Sequence, residues 1–244
     1  MELVIIGSSS KGNAYALKSK NSTLLIECGV SYKNAILPAC DFKRAQIVGC
    51  LISHHHADHA GHISELMGHG IKCFVPSDLG GKTHTRELVD LGGGFKYIGL
   101  PMKHVNGDGS PCECWAFLIH HDESGWILFC TDTAVIPQDI SAFPFTHVLI
   151  AANYSKDMIE RNIDNGTIPL SRAKHTMLGH MSIETCIKEL KAMDLENCIS
   201  IVLLHLSETN SAADDFKARV EDETGITCEI AEPGLILGMN KDPF

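Results

Sequence analysis

The sequence predicts an α/β domain built in layers, with two sheets inside and helices outside. Three observations carry that expectation. Short apolar runs bounded by turn residues dominate the first half of the chain, as strands do. Strands mixed with helical patterns follow in the second half. No linker, internal repeat or compositional break separates the halves, so one domain over residues 1–244 is expected.

The runs expected as strands are residues 3–6, 14–18, 24–28, 47–53, 72–75 and 95–100, then 116–120, 126–130, 147–150 and 199–204. Helical spacing is read over 63–68, 83–91, 155–164, 183–193 and 212–224, the last with Ala213, Phe216 and Val220 on one side. Ser182 precedes Ile183-Glu184-Thr185 and is expected as an N-cap, because its hydroxyl can accept a free backbone N–H of the first turn. Gly92-Gly93-Gly94 and residues 106–110 are expected as turns.

Composition sets outer bounds. The 244 residues are 44% hydrophobic and 20% charged, which is globular, and long enough to bury a core without a structural metal or disulfides. The formal charge of −10 argues against a broad grip on long nucleic acid, which needs a basic face, but leaves room for a local basic pocket or for metal ions. Met1–Gly7 lacks the basic start of a signal peptide, and no run nears the roughly 18 apolar residues that span a bilayer. A cytoplasmic protein with no membrane partner is expected. Its ten Cys then read as reduced thiols. Only Cys112-Glu113-Cys114 is closely spaced, and it lacks the second pair of a structural zinc site.

The segment that carries chemistry is Ser53-His54-His55-His56-Ala57-Asp58-His59, directly after an apolar strand. So many polar residues cannot continue a buried strand, so the chain turns into a loop there. Imidazole nitrogens and a carboxylate are ligands for zinc, manganese or iron. Residues 54 and 56 can face one metal while 58 and 59 turn toward a second. A tag-like His tract would lack the Asp and sit at a terminus.

This pattern resembles the HxHxDH signature of the metallo-β-lactamase superfamily, and the resemblance covers most of the chain. The subgroup it is most similar to is the YycJ (WalJ)-like metallohydrolases, related to RNase Z and PhnP-like phosphodiesterases. Gly7–Asn13 resembles that subgroup's opening turn, and residues 25–29 its second strand and turn, with Glu27 where an Asp is more usual. Thr131-Asp132-Thr133, Gly179-His180-Met181-Ser182 and Leu204-His205-Leu206-Ser207 match its later motifs in order. Ala151 and Tyr154 depart from the subgroup, which tends to carry an acidic residue and a His there.

The resemblance implies a four-layer αββα sandwich holding two divalent metal ions. His54, His56 and His104 would hold one, with His104 in a loop after the strand at 95–100. Asp58, His59 and His205 would hold the other, and Asp132 would bridge them. Glu27 is expected to orient a metal-bound His through its other N–H. His180 precedes a helix N-terminus, where anions are favoured, and is expected to bind the substrate phosphate or protonate the leaving oxygen, with Asp58 also catalytic. Asn153 is expected on the substrate side. The implied activity is that of a phosphodiesterase or nuclease, possibly a 5′ exonuclease on DNA, using a metal-bridging hydroxide on a DNA or RNA end. A homodimer is also compatible. Two other classes stay open: a thiolester or lactam hydrolase of the same fold, and a metal-binding module without turnover.

Overall fold

A computed structural model describes residues 1–242; Pro243 and Phe244, within the expected 1–244 domain, lie outside the described residues. The strands are β1 (Glu2–Ser9), β2 (Gly12–Lys18), β3 (Thr23–Ile26), β4 (Ile47–Leu51), β5 (Cys73–Val75), β6 (Lys82–Thr83), β7 (Val89–Gly92), β8 (Phe95–Val105), β9 (Pro111–His121), β10 (Gly125–Cys130), β11 (Phe145–Ala151), β12 (Ser200–Leu204), β13 (Thr227–Ile230) and β14 (Ile236–Gly238). The α-helices are α1 (Leu37–Ala39), α2 (Ala57–Ala60), α3 (Ile63–Gly68), α4 (Lys156–Asp164), α5 (Leu170–Gly179), α6 (Ile183–Lys191) and α7 (Ala213–Thr224).

The strands form two sheets, ordered β14-β1-β2-β3-β4-β5-β6 and β13-β12-β11-β10-β9-β8-β7. In each sheet one half is antiparallel and the other parallel, the change falling at β3 in the first and β10 in the second. Alternate residues of each strand enter different layers. Ile127 and Phe129 of β10 join Leu24 and Ile26 of β3 between the sheets. Leu128 and Cys130 face Ile183, Cys186 and Leu190 of α6 and Phe216 and Val220 of α7. Leu25 and Cys50 face the opposite helical layer, with Ala60 of α2 and Leu66 of α3. Strands covered on both faces read as unbroken apolar runs, which is why they were visible without alternation. The order helix, sheet, sheet, helix is the expected αββα sandwich.

Ser182 caps α6 as expected, its Oγ accepting from the Thr185 N–H at 3.2 Å. The helix expected over 83–91 is not formed. Its place is taken by the end of β6, a loop and β7. The loop is fixed by tertiary contacts: His84 Nε2 donates to the Ile52 carbonyl at 2.8 Å, and Asp90 Oδ1 accepts from the Gly92 N–H at 2.8 Å. Leu88, needed for a buried helical stripe, is exposed instead. His104 is likewise not in a loop, because β8 runs on to Val105 and pairs with β9 along its length. Helix α5 and the strands β13 and β14 had no sequence expectation. No helix among the described residues is long and apolar enough to cross a membrane.

Candidate metal centre

The parallel strands β3, β4, β10, β11 and β12 all release their chains at the same edge of the sandwich, and the polar residues gather just beyond their C-terminal ends. This is where ligands bind in α/β sheets generally, because the strand ends supply side chains on loops with a rigid base. Glu27 follows β3, His54–His59 follow β4, Asp132 follows β10, Asn153 follows β11 and His205 follows β12.

The His loop is anchored from below. The Ser53 N–H reaches both Glu27 oxygens, at 3.3 and 3.2 Å, and the Cys28 N–H donates to the His59 carbonyl at 2.7 Å. At Gly29 an added Cβ would lie 1.7 Å from the Asp58 carbonyl oxygen, so only glycine lets the two segments approach this closely. Glu27 and His205 both have left-handed backbones, with φ of 62° and 53°. The turn is held at His205 by its own N–H, which donates to Ser8 Oγ at 3.1 Å.

His54, His56 and His104 offer ring nitrogens that all lie within 4.8 Å of one another. His104 Nδ1 is 2.9 Å from the Gly179 carbonyl. A carbonyl can only accept, so Nδ1 carries the hydrogen and Nε2 holds its lone pair 3.3 Å from His56 Nδ1. Burial pushes His54 and His56 below the usual histidine range and His104 down to about 4. All three are therefore neutral near pH 7, the state that can ligate a cation.

Asp58, His59, Asp132 and His205 form a second group of the same compactness. Asp58 Oδ2 lies 3.5 Å from both His59 Nε2 and His205 Nε2. Burial alone would raise Asp58, but the hydrogen bonds from His205 and His59 outweigh it and hold the carboxyl well below its usual range. Asp132 is almost fully buried, and there too burial is outweighed, by His205, His180 and His59. Its Oδ2 is 3.3 Å from His59 Nε2 and 3.7 Å from His54 Nε2, so one carboxylate faces both groups.

The residues fit cations. Among the described residues, His54 Nε2 is buried without a hydrogen-bond partner, which is costly unless something takes its lone pair. The fit rests on a donor set of imidazole and carboxylate, as expected for divalent metals.

The surrounding residues hold these groups in place. Glu27 Oε1 lies 3.4 Å from His59 Nδ1, which answers which histidine this carboxylate meets. Asn153 Nδ2 lies 2.8 Å from the His205 carbonyl oxygen and 3.0 Å from its Nδ1. His180 stacks on His205 at 5.3 Å between ring centres, with Nδ1 3.5 Å from Asp132 Oδ1. Asn153, His180 and His205 share the wall of a cavity of about 240 Å³ with Ser10, Arg172, His175, Thr176 and the loop 206–210.

Some of the supporting residues were not singled out from the sequence. Asn13 Nδ2 reaches the Asp58 carbonyl at 3.2 Å and lies 3.1 Å from His59 Nε2, and the only signal for it was its place in the opening turn. Thr131 Oγ1 donates to Asp132 Oδ1 at 3.1 Å. Gly179 stood only as the first residue of the Gly179–Ser182 motif, and Arg172 had no signal of its own. Cys112 meets His55 and His56 in a third group of possible ligands, and His55 Nδ1 is 2.5 Å from Asp78 Oδ2. Tyr154, where a His is common in the subgroup, is buried with Ile159, Ile168 and Ala173.

The solved structures similar to this chain share its two-sheet sandwich over nearly its whole length. YhfI from Bacillus subtilis, described as a metallo-β-lactamase fold protein, is 15% identical with a TM-score of 0.72, over 97% of this chain and 99% of that one. The chain has the metallo-β-lactamase fold. Yeast PDE1 superposes on this metallo-β-lactamase fold with a TM-score of 0.67 at 12% identity, over 97% of this chain and 98% of that one. The short form of human tRNase Z gives 0.63 at 13% identity, over 98% and 99%. By sequence, the family described as Anti-Pycsar protein Apyc1 matches residues 5–74, from β1 to β5 and including the His loop. Comparison with curated proteins gives no match.

Proposed function

We propose that the chain is a two-metal hydrolase of phosphodiesters, acting on a nucleic-acid end or a nucleotide-like diester. The observation that carries this reading is Asp132, whose carboxylate faces His59 at 3.3 Å and His54 at 3.7 Å. A carboxylate between two sets of ligands suits a pair of ions sharing it. His54, His56 and His104 would hold one ion and Asp58, His59 and His205 the other, with zinc, manganese or iron all compatible with these donors. Bound there, divalent ions activate water near neutral pH and neutralise charge that develops on phosphorus.

The chain's own groups do the rest. Asp58, kept ionised by His59 and His205, accepts a hydrogen bond from the attacking water and orients it. His180 is held by stacking on His205 and by Asp132, and reaches the cavity, where it donates to the phosphate or to the leaving oxygen. Asn153 keeps His205 aimed at the site. That a tRNase Z and a PDE1 share the fold supports the reaction class. The charge of −10 and the small cavity favour an end or a small diester over a long strand.

The test is turnover of bis-(p-nitrophenyl) phosphate by metal-stripped protein refilled with Mn²⁺ or Zn²⁺. Metal-dependent release that falls to background in Asp132→Ala is expected. A fully active Asp132→Ala variant would sink the mechanism. No turnover with either metal, despite about two ions bound per chain, would point to carbonyl hydrolysis or a binding role.

A further inference from the structure

Helix α5 carries a polar face that the proposed reaction leaves unused. Arg172, His175 and Thr176 fall three and four residues apart, on one side of the helix, and all three line the cavity that also holds His180 and His205. Gly179 lies seven residues beyond Arg172, again on that side, and its carbonyl is the one that fixes His104. The helix therefore runs from the metal-facing histidines to Arg172 over about two turns, roughly 10 Å.

Arg172 is exposed and uncompensated. Among the described residues the arginine ion pairs are those of Arg219 with Glu184 and Asp215. The carboxylate on the cavity wall, Glu208, is taken by Lys11 at 2.5 Å. In a chain of net charge −10, this leaves an unpaired guanidinium beside the candidate site. The lining contains no Phe, Tyr or Trp on which a base could stack, and Leu206 is its one apolar side chain. At about 240 Å³ the cavity falls below the roughly 300–1,000 Å³ of sites for drug-sized ligands, so it takes one end group and not a stretch of polymer.

We infer that Arg172 is a specificity-determining residue that anchors a terminal phosphate of the substrate while the scissile diester lies against the metal-facing histidines. The planar fork of a guanidinium matches phosphate oxygens two at a time, which a lone ammonium cannot do. This inference rests on the phosphodiester reading above, and its test separates the two. Calorimetric titration compares thymidine 3′,5′-bisphosphate with thymidine 5′-monophosphate on the metal-loaded wild type, Arg172→Ala and Arg172→Lys. Turnover compares the dinucleotides pdTpdT and dTpdT on the same proteins.

The wild type is expected to bind the bisphosphate about tenfold more tightly, and to favour pdTpdT by a similar factor through KM and not kcat. Arg172→Ala should bring both ratios near one, and Arg172→Lys should keep part of each. Equal handling of the paired ligands by the wild type, or a preference that survives Arg172→Ala, overturns the inference even if diesters are cleaved. An Arg172-dependent preference in binding, with no diester cleaved, keeps the anchor and overturns the phosphodiester reading.

Discussion

His104 donates its Nδ1 hydrogen to the Gly179 carbonyl 2.9 Å away, and this single bond decides which of its nitrogens faces His56. The bond ties the end of α5 to the end of β8, so the helix sets the ring's orientation. A side chain at Gly179 would press on this ring. An added Cβ would stand 3.1 Å from His104 Cε1 and 3.3 Å from its Nδ1, and would tilt the ring. Gly179→Ala is expected to weaken metal retention about tenfold or more, as loss of a partner that orients a ligating His does. Metal content after dialysis against graded chelator measures it, with circular dichroism to confirm folding; wild-type retention would refute the claim.

Glu27 makes the corresponding contact for His59, at 3.4 Å, and also receives the Ser53 N–H. Glu27→Gln keeps the shape but removes the charge that favours a hydrogen on His59 Nδ1. The expected result is a loss of about 10–100-fold in affinity for one of two bound ions, with the other unchanged. Stepwise titration of the stripped variant with Zn²⁺ resolves the two events; a uniform effect on both would contradict it.

Two histidines away from the candidate ligand groups make stability depend on pH. Burial lowers His84 and His147 to about 4, against roughly 6.5 in the unfolded chain. Between these values the unfolded chain binds more protons, so stability is full above about pH 6.5 and is lost as pH falls toward 4. At pH 5 the loss is on the order of 2 kcal/mol for each. Urea unfolding at pH 7 and pH 5 of the wild type, His84→Gln and His147→Gln separates these two shares from that of the other buried histidines; a pH response unchanged in both variants would refute the claim.

The layer between the sheets should be far more sensitive than the exposed side of α5. Phe129 is fully buried there, edge-on to Tyr15 at 5.3 Å and stacked near Phe117. Phe129→Ala is expected to cost about 3–5 kcal/mol. Leu178, 62% exposed, should change stability by less than about 0.5 kcal/mol when cut to Ala. Denaturant midpoints of the two variants test the contrast.

Much of this molecule could be read from residues close together in the chain. His54, His56, Asp58 and His59 are neighbours in sequence, so their spacing announced them. The sandwich was legible for a similar reason, since strands buried on both faces leave unbroken apolar runs. What stayed hidden depends on distant contacts. The turn at 83–91 is settled by His84 reaching Ile52 and not by local spacing, which looked helical. Helix α5 begins after a proline, and Leu170, Met177 and Leu178 are exposed, so its apolar pattern points away from any core. Its Arg172 and Gly179 matter only because the helix lies against β8 and the loop after β12.

The backbone at Glu27 and His205 has a consequence of a different kind. Both adopt φ values near +60°, which side-chain-bearing residues reach only at a cost of about 1–3 kcal/mol each. A glycine would sit there without strain, yet both positions carry the bulky groups that face the ligand cluster. Glu27→Gly and His205→Gly would relax the backbone while deleting a side chain the site uses. At Glu27 that strain is opposed by the bond its carboxylate accepts from the Ser53 N–H, so the side chain holds the turn in a conformation that its own backbone disfavours.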